Sequence, residues 1–177
     1  MNLKLLVNPF YKIINVLISD DHFPVILMKP YSEYGFKLSD TKNRISSTNQ
    51  VTKFFENNIS VNQITTLLDE CLSDFSTIIK NKIILAKDSI NLAFTENGIR
   101  LFLNDLGACK QEKKETEANK LEHICDCYVD WLLAAFVNSI SESDYQLYDE
   151  YFSYKSENLK ELKAALRGKL LNLTKGV

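Results

Sequence analysis

Apolar and polar positions change their spacing several times along this chain, and each change predicts a new element. Tyr11 to Ser19 is rich in β-branched residues and stops at the turn pair Asp20-Asp21, which predicts a strand. Phe23 to Met28 is a second short apolar run, holding Pro24 and followed by Pro30, so it suits an edge strand or strand ends. Tyr34 to Leu38 alternates weakly and is expected to complete an N-terminal β-meander. Residues 39–49 are polar and rich in turn formers, which predicts a loop, and Gln50 to Asn57 is expected to be a short helix.

Helical spacing then takes over. Ser60-Val-Asn-Gln63 has the form of a capping box, and behind it Val61, Ile64, Leu67, Leu68, Cys71, Phe75, Ile78 and Ile79 predict a helix over 61–80. Period-two alternation returns at Ile90, Leu92, Phe94 and at Ile99, Leu101, Leu103 around Thr95-Glu-Asn-Gly98, which predicts a hairpin over 90–104. Asn91, Arg100 and Asn104 fall on its outward positions, as one wet face requires. Residues 110–120 carry mixed charge and read as the solvated first turns of a helix or as a linker.

From Leu121 the stripe Leu121, Ile124, Cys125, Tyr128, Trp131, Leu132, Ala135 and Phe136 predicts a helix that becomes apolar nearly all round, with Trp131 mostly buried. Two more helices are expected at 143–154 and 157–173, the last with Leu159, Leu162, Leu166, Leu170 and Leu173 on one stripe. The order strands, helix, hairpin, helices argues for an α+β fold: an N-terminal meander and a central hairpin packed with four to five helices, all helical toward the C-terminus.

With 177 residues one domain is favoured, residues 1–177, with a possible sub-division into an α+β part, 1–109, and a helical part, 110–177. Lys+Arg 21 against Asp+Glu 23 gives a net charge of −2, so no global basic field draws the chain to nucleic acid or to an anionic membrane. No apolar run is long enough for a bilayer and the opening residues lack a signal-peptide pattern, so a cytoplasmic protein is expected. Five glycines and two histidines leave most phosphate-loop and histidine-based schemes without their parts. The four cysteines, Cys71, Cys109, Cys125 and Cys127, are expected to be reduced thiols.

His123 and Cys127 share a helical face with Asp130 one turn on, a legitimate spacing for zinc ligands, but no second Cys or His pair follows. The same two residues are a weak thiol–base pair, and Asp20-Asp21-His22 is a turn before it is an acid–base cluster. No cofactor is expected.

Charge is distributed unevenly. Residues 141–154 hold Glu142, Asp144, Asp149 and Glu150 with no Lys or Arg, while residues 155–177 hold six basic residues against Glu157 and Glu161. The acidic window also carries Tyr145, Tyr148, Tyr151 and Tyr154, half of the chain's eight tyrosines. At about 100° per residue, Tyr145, Tyr148 and Phe152 form one stripe, Tyr154 lies well off it, and Glu142, Asp149 and Glu150 fill the arc beside it.

Tyrosines on two sides of an acidic stripe resemble a binding surface, because Tyr offers large contact area at low rotamer cost and carboxylates steer toward basic partners. The competing reading makes the tyrosines amphipathic packers and the acids a solvated face. The basic last helix could touch phosphates, or it could match the helix dipole.

The expectation is therefore a non-catalytic interaction protein, a small inhibitor of the immunity type. It would occlude a basic, nucleic-acid-handling protein, such as a toxin or a host-defence nuclease. Asp144, Asp149, Glu150 and Glu157 stand in for phosphates, and Tyr145, Tyr148, Tyr151 and Tyr154 act as anchors. No direct contact with nucleic acid or membrane is expected. The alternative is a homodimeric adaptor or assembly protein, and the third reading is a thiol or metal enzyme using Cys127 and His123.

Overall fold

A computed structural model describes residues 13–18, 24–28, 37–38, 53–95, 98–103, 109–111 and 118–175. Two strands come first, β1 (Ile13–Ile18) and β2 (Pro24–Met28), paired antiparallel from Ile13↔Met28 to Ile18↔Pro24. Pro24 sits at the first position of its strand, where the missing N–H costs no central ladder bond. The third strand, β3 (Lys37–Leu38), does not extend this pair into a meander. It pairs instead with β5 (Ile90–Thr95), which pairs in turn with β6 (Gly98–Leu103), giving a three-stranded antiparallel sheet of order β3-β5-β6. The hairpin expected over 90–104 is thus present, and Gly98 closes it at φ 131°, a backbone conformation that favours glycine.

Among the described residues five helices complete the α+β fold: α1 (Val61–Leu67), α2 (Asp69–Lys80), α3 (Ala118–Val137), α4 (Glu142–Tyr151) and α5 (Glu157–Lys175). A short pair, β4 (Ile83–Ile84) with β7 (Lys110–Gln111), escaped the pattern because two-residue strands carry no periodicity. Ser60 caps α1 as expected: its hydroxyl accepts the Gln63 N–H at 3.3 Å and donates to Gln63 Oε1 at 3.0 Å. The helix expected over 61–80 opens at Leu68 (ψ 5°), yet i→i−4 bonds continue on both sides, Leu68 N to Ile64 O and Leu72 N to Leu68 O, both 3.0 Å. No helix forms over the described residues 53–57. Phe54 and Phe55 instead give their amides to a distant carboxylate, which holds the segment open.

Helix α5 packs against α1, α2 and α3, while α2 also packs on β6 and β4, and α3 on β5. Leu162, Leu166 and Leu170 of α5 are wholly buried, as are Leu72 and Phe75 of α2 and Leu132 and Phe136 of α3. One cluster of buried side chains runs from Phe55 to Leu171, drawing on both sides of residue 110. Each fully buried Leu or Phe contributes about 1.5–3 kcal/mol from removal of its surface from water.

The free edge of β6 is closed by α2. Cys71 Sγ donates to Ile99 O at 3.3 Å, and Asp74 accepts the Leu101 N–H at 3.1 Å. Asp74 also accepts from Arg100 Nε at 2.9 Å and from Arg100 Nη2, a bidentate pair. Arg100 was expected in water. It is half-buried because its guanidinium reaches the α2 carboxylate, and Asn91, also expected outward, is buried. Satisfying an exposed edge with side chains removes a template for unwanted strand pairing.

Candidate functional site

Helix α4 is built from its first turn. The Ser141 hydroxyl accepts the Asp144 N–H at 3.1 Å, a standard N-cap. The Asp144 carboxylate then turns inward, accepting Phe54 N–H at 2.8 Å and Phe55 N–H at 3.2 Å. It is wholly buried, so this charge is spent inside the fold and is not available to a partner. That corrects its place among the phosphate stand-ins.

Tyr148 is corrected in the same way. It is buried, its ring 5.2 Å from that of Phe152, and burial pushes its phenol up to about 12. Tyr145 is half-buried against the core. These two are the packers of the helix. Tyr151 and Tyr154 are different: 49% and 84% exposed, they are the exposed large hydrophobic side chains among the described residues.

The helix expected to run to residue 154 ends at Tyr151, so Tyr154 is placed by a turn and not by the helical wheel. The turn is well fixed. Phe152 is buried and its N–H reaches Tyr148 O at 2.7 Å, the Ser156 N–H reaches Ser153 O at 2.9 Å, and Lys155 takes a left-handed φ of 69°. Ser156 then caps α5 through Leu159 N at 3.1 Å, and Asn158 Nδ2 donates back to Tyr151 O at 3.0 Å. Lys155 Nζ lies 5.3 Å from the Tyr154 ring centroid, within cation–π range. An exposed aromatic on a hydrogen-bonded turn loses little entropy on contact, which favours recognition.

The remaining acids divide. Asp149 and Glu150 are exposed and, among the described residues, have no ion-pair partner. Glu157 is exposed and pairs with Lys160 Nζ at 2.6 Å within α5. The acids of α3 are all engaged by α5: Asp130 with Lys163 at 2.8 Å, Asp126 with Arg167 Nε at 2.6 Å, and Glu122 with Arg167 Nη2 at 2.9 Å. Lys169 reaches Asp69 of α2 at 2.7 Å. The basic last helix therefore spends much of its charge within the fold, which weakens the expectation that it touches phosphates.

None of the four cysteines is in a disulfide. Burial pushes the Cys71 thiol well up and that of Cys125 to about 11, and Cys109 Sγ lies 3.6 Å from Ser89 Oγ. Cys127 is half-buried with His123 Nε2 at 3.8 Å. Asp130, the expected third member, faces Lys163 instead, and among the described residues no three His, Cys, Asp or Glu side chains are grouped to hold a metal ion. Asp20, Asp21 and His22 lie outside the described residues. Among those described, no helix is long and apolar enough to cross a membrane.

The sequence reading missed the clasp between Asp144 and residues 54–55. Ser141-x-x-Asp144 matches the capping-box template, and that match would have marked Asp144 as structural. Its carboxylate goes to Phe54 and Phe55, a choice that only tertiary structure makes. Compared with known proteins, the chain matches no protein-family model, no curated protein and no solved structure.

Proposed function

We propose that the chain is a non-catalytic interaction protein that covers a basic surface of another protein, in the manner of an immunity-type inhibitor. The observation that carries this reading is the coincidence of two exposed tyrosines, Tyr151 and Tyr154, with the carboxylates Asp149 and Glu150, unpaired among the described residues, at one end of α4. Tyr154 and Tyr151 are the anchors, Asp149 and Glu150 the steering charges, and Glu157 a rim charge shared with Lys160. Asp144, Tyr145 and Tyr148 hold the surface in shape from beneath. Inhibition would follow from occlusion, with carboxylates occupying positions that phosphates otherwise take on a nucleic-acid-handling partner.

The test begins with capture of basic proteins from the source cells, followed by binding kinetics on the purified partner. Asp149→Lys with Glu150→Lys is expected to slow association about tenfold or more and to flatten its dependence on salt. Tyr154→Ala is expected to leave association nearly unchanged and to speed dissociation, at a cost of about 2 kcal/mol in affinity. Neither change touches the core, so melting temperatures should stay close to wild type. Unchanged kinetics in both variants would place the interface elsewhere.

A further inference from the structure

We infer that His123 and Cys127 form an open, two-ligand site for a thiophilic divalent cation such as Zn²⁺, separate from the α4 surface. A tetrahedral zinc with Zn–S of about 2.3 Å and Zn–N of about 2.0–2.1 Å needs its S and N ligands about 3.6 Å apart. Cys127 Sγ and His123 Nε2 are 3.8 Å apart, so the two donors already stand at nearly the edge length the ion demands. Neither side chain has to leave its place on α3 for the chelate to close.

The helix is braced where the pair sits. Cys125 and Tyr128, on the opposite face, are buried to 0% and 1% exposure, and the Tyr128 hydroxyl is tied to β4 and the residue after it through Ile83 O and Leu85 N. The neighbouring carboxylates are drawn off to α5, Asp126 by Arg167 and Asp130 by Lys163, so they complete no acidic cage that would favour a hard cation. Cys127 is also the least buried of the four cysteines, the other three being buried. Binding replaces the Cys127 Sγ proton, which leaves to solvent, with the metal, and takes the imidazole in its neutral form. The other two coordination positions stay open to water.

The full chain is treated with a chromogenic disulfide reagent under native conditions, with and without Zn²⁺, and the labelled thiol is located by peptide mapping. One thiol should react quickly and map to Cys127, and Zn²⁺ at micromolar levels should slow it by about tenfold. In His123→Ala the thiol should still react, but about tenfold more Zn²⁺ should be needed to protect it. Co²⁺ should give a thiolate-to-cobalt charge-transfer band in the wild type that is absent from Cys127→Ser. Protection that is equal in wild type and His123→Ala would overturn the site, as would rapid labelling of Cys127 that Zn²⁺ leaves unchanged. A cobalt band that survives Cys127→Ser would overturn it too.

Discussion

Replacing Asp144 by Ala removes the clasp between α4 and the segment before α1, and its cost can be worked from the contacts. The Phe55 amide is buried, so losing its acceptor costs about 1–3 kcal/mol, and the half-buried Phe54 amide adds about half of that. A carboxylate in the first turn of α4 also contributes about 0.3–1 kcal/mol against the helix dipole. The sum is about 2–5.5 kcal/mol, or a melting temperature lower by about 6–16 °C for a chain of this size. The Ser141 cap does not contribute to the difference, because it is made to the backbone N–H of Asp144, which the substitution leaves in place. Asp144→Asn keeps one acceptor oxygen and should cost about half as much. Urea unfolding followed by Trp131 fluorescence measures the totals, and hydrogen exchange at Phe54 and Phe55 locates them. The two amides should lose protection first, before α2 or α3 opens. A denaturation midpoint for Asp144→Ala equal to wild type would refute the clasp, and so would unchanged exchange at both amides.

The other expectations concern α3 and α4. Burial pushes the Tyr128 and Tyr148 phenols up to about 12 and the Cys125 thiol to about 11, so the fold favours their neutral forms. That stabilisation is complete below the unfolded values of 10.0 and 9.0 and is lost as pH rises through the folded ones. Urea midpoints should accordingly fall between about pH 9 and 12, and a flat profile there would contradict the assignment. Tyr128→Phe should cost about 1–2 kcal/mol by stranding the Leu85 N–H, 2.9 Å from the hydroxyl, and should remove part of the alkaline slope. Trp131→Ala should cost about 2–3 kcal/mol, below the 3–5 of a fully enclosed aromatic, because Trp131 is half-buried with its ring 5.5 Å from that of Tyr128. A measured loss above about 4 kcal/mol would mean that the ring is enclosed on all sides.

Elements with a sustained period were legible in the sequence, and elements specified by a single distant contact were not. The hairpin of β5 and β6 alternates over enough residues to fix both strands, and α3 and α5 carry apolar stripes several turns long. Lys37–Leu38 offered nothing to choose between β2 and β5 as its partner, and β4 and β7 are too short to show a pattern at all. Residues 53–57 have acceptable helix formers, yet the Asp144 carboxylate outbids an isolated short helix, which has little stability of its own. Arg100 illustrates the limit of strand alternation: its position points away from the core, but its side chain is long enough to return to Asp74. At the candidate site the cluster of acids and tyrosines was visible, whereas its division into buried and exposed members depended on where α4 ends. A helical wheel carried past Tyr151 assigns Tyr154 an angle it does not have.

That division matters because neighbouring segments in the sequence do not neutralise one another. Acidic residues 141–154 are followed directly by basic residues 155–177, and adjacency suggests that the two charges cancel. In the fold they do not meet. Lys163 and Arg167 are turned toward α3 and Lys169 toward α2, where Asp130, Asp126, Glu122 and Asp69 receive them. Lys160 is held by Glu157 within its own helix, and Lys155 stands over the Tyr154 ring. Asp149 and Glu150 are left without a cation among the described residues, in a chain whose net charge is only −2. An exposed pair of like charges gains nothing for stability, since each repels the other and both sit near the carbonyl end of α4, where the helix dipole disfavours anions. A solvated face needs no such placement, and lysines there would serve the fold better. Two carboxylates kept at an unfavourable helix end, next to two tyrosines that the core does not enclose, are what the proposed contact with a basic partner would account for.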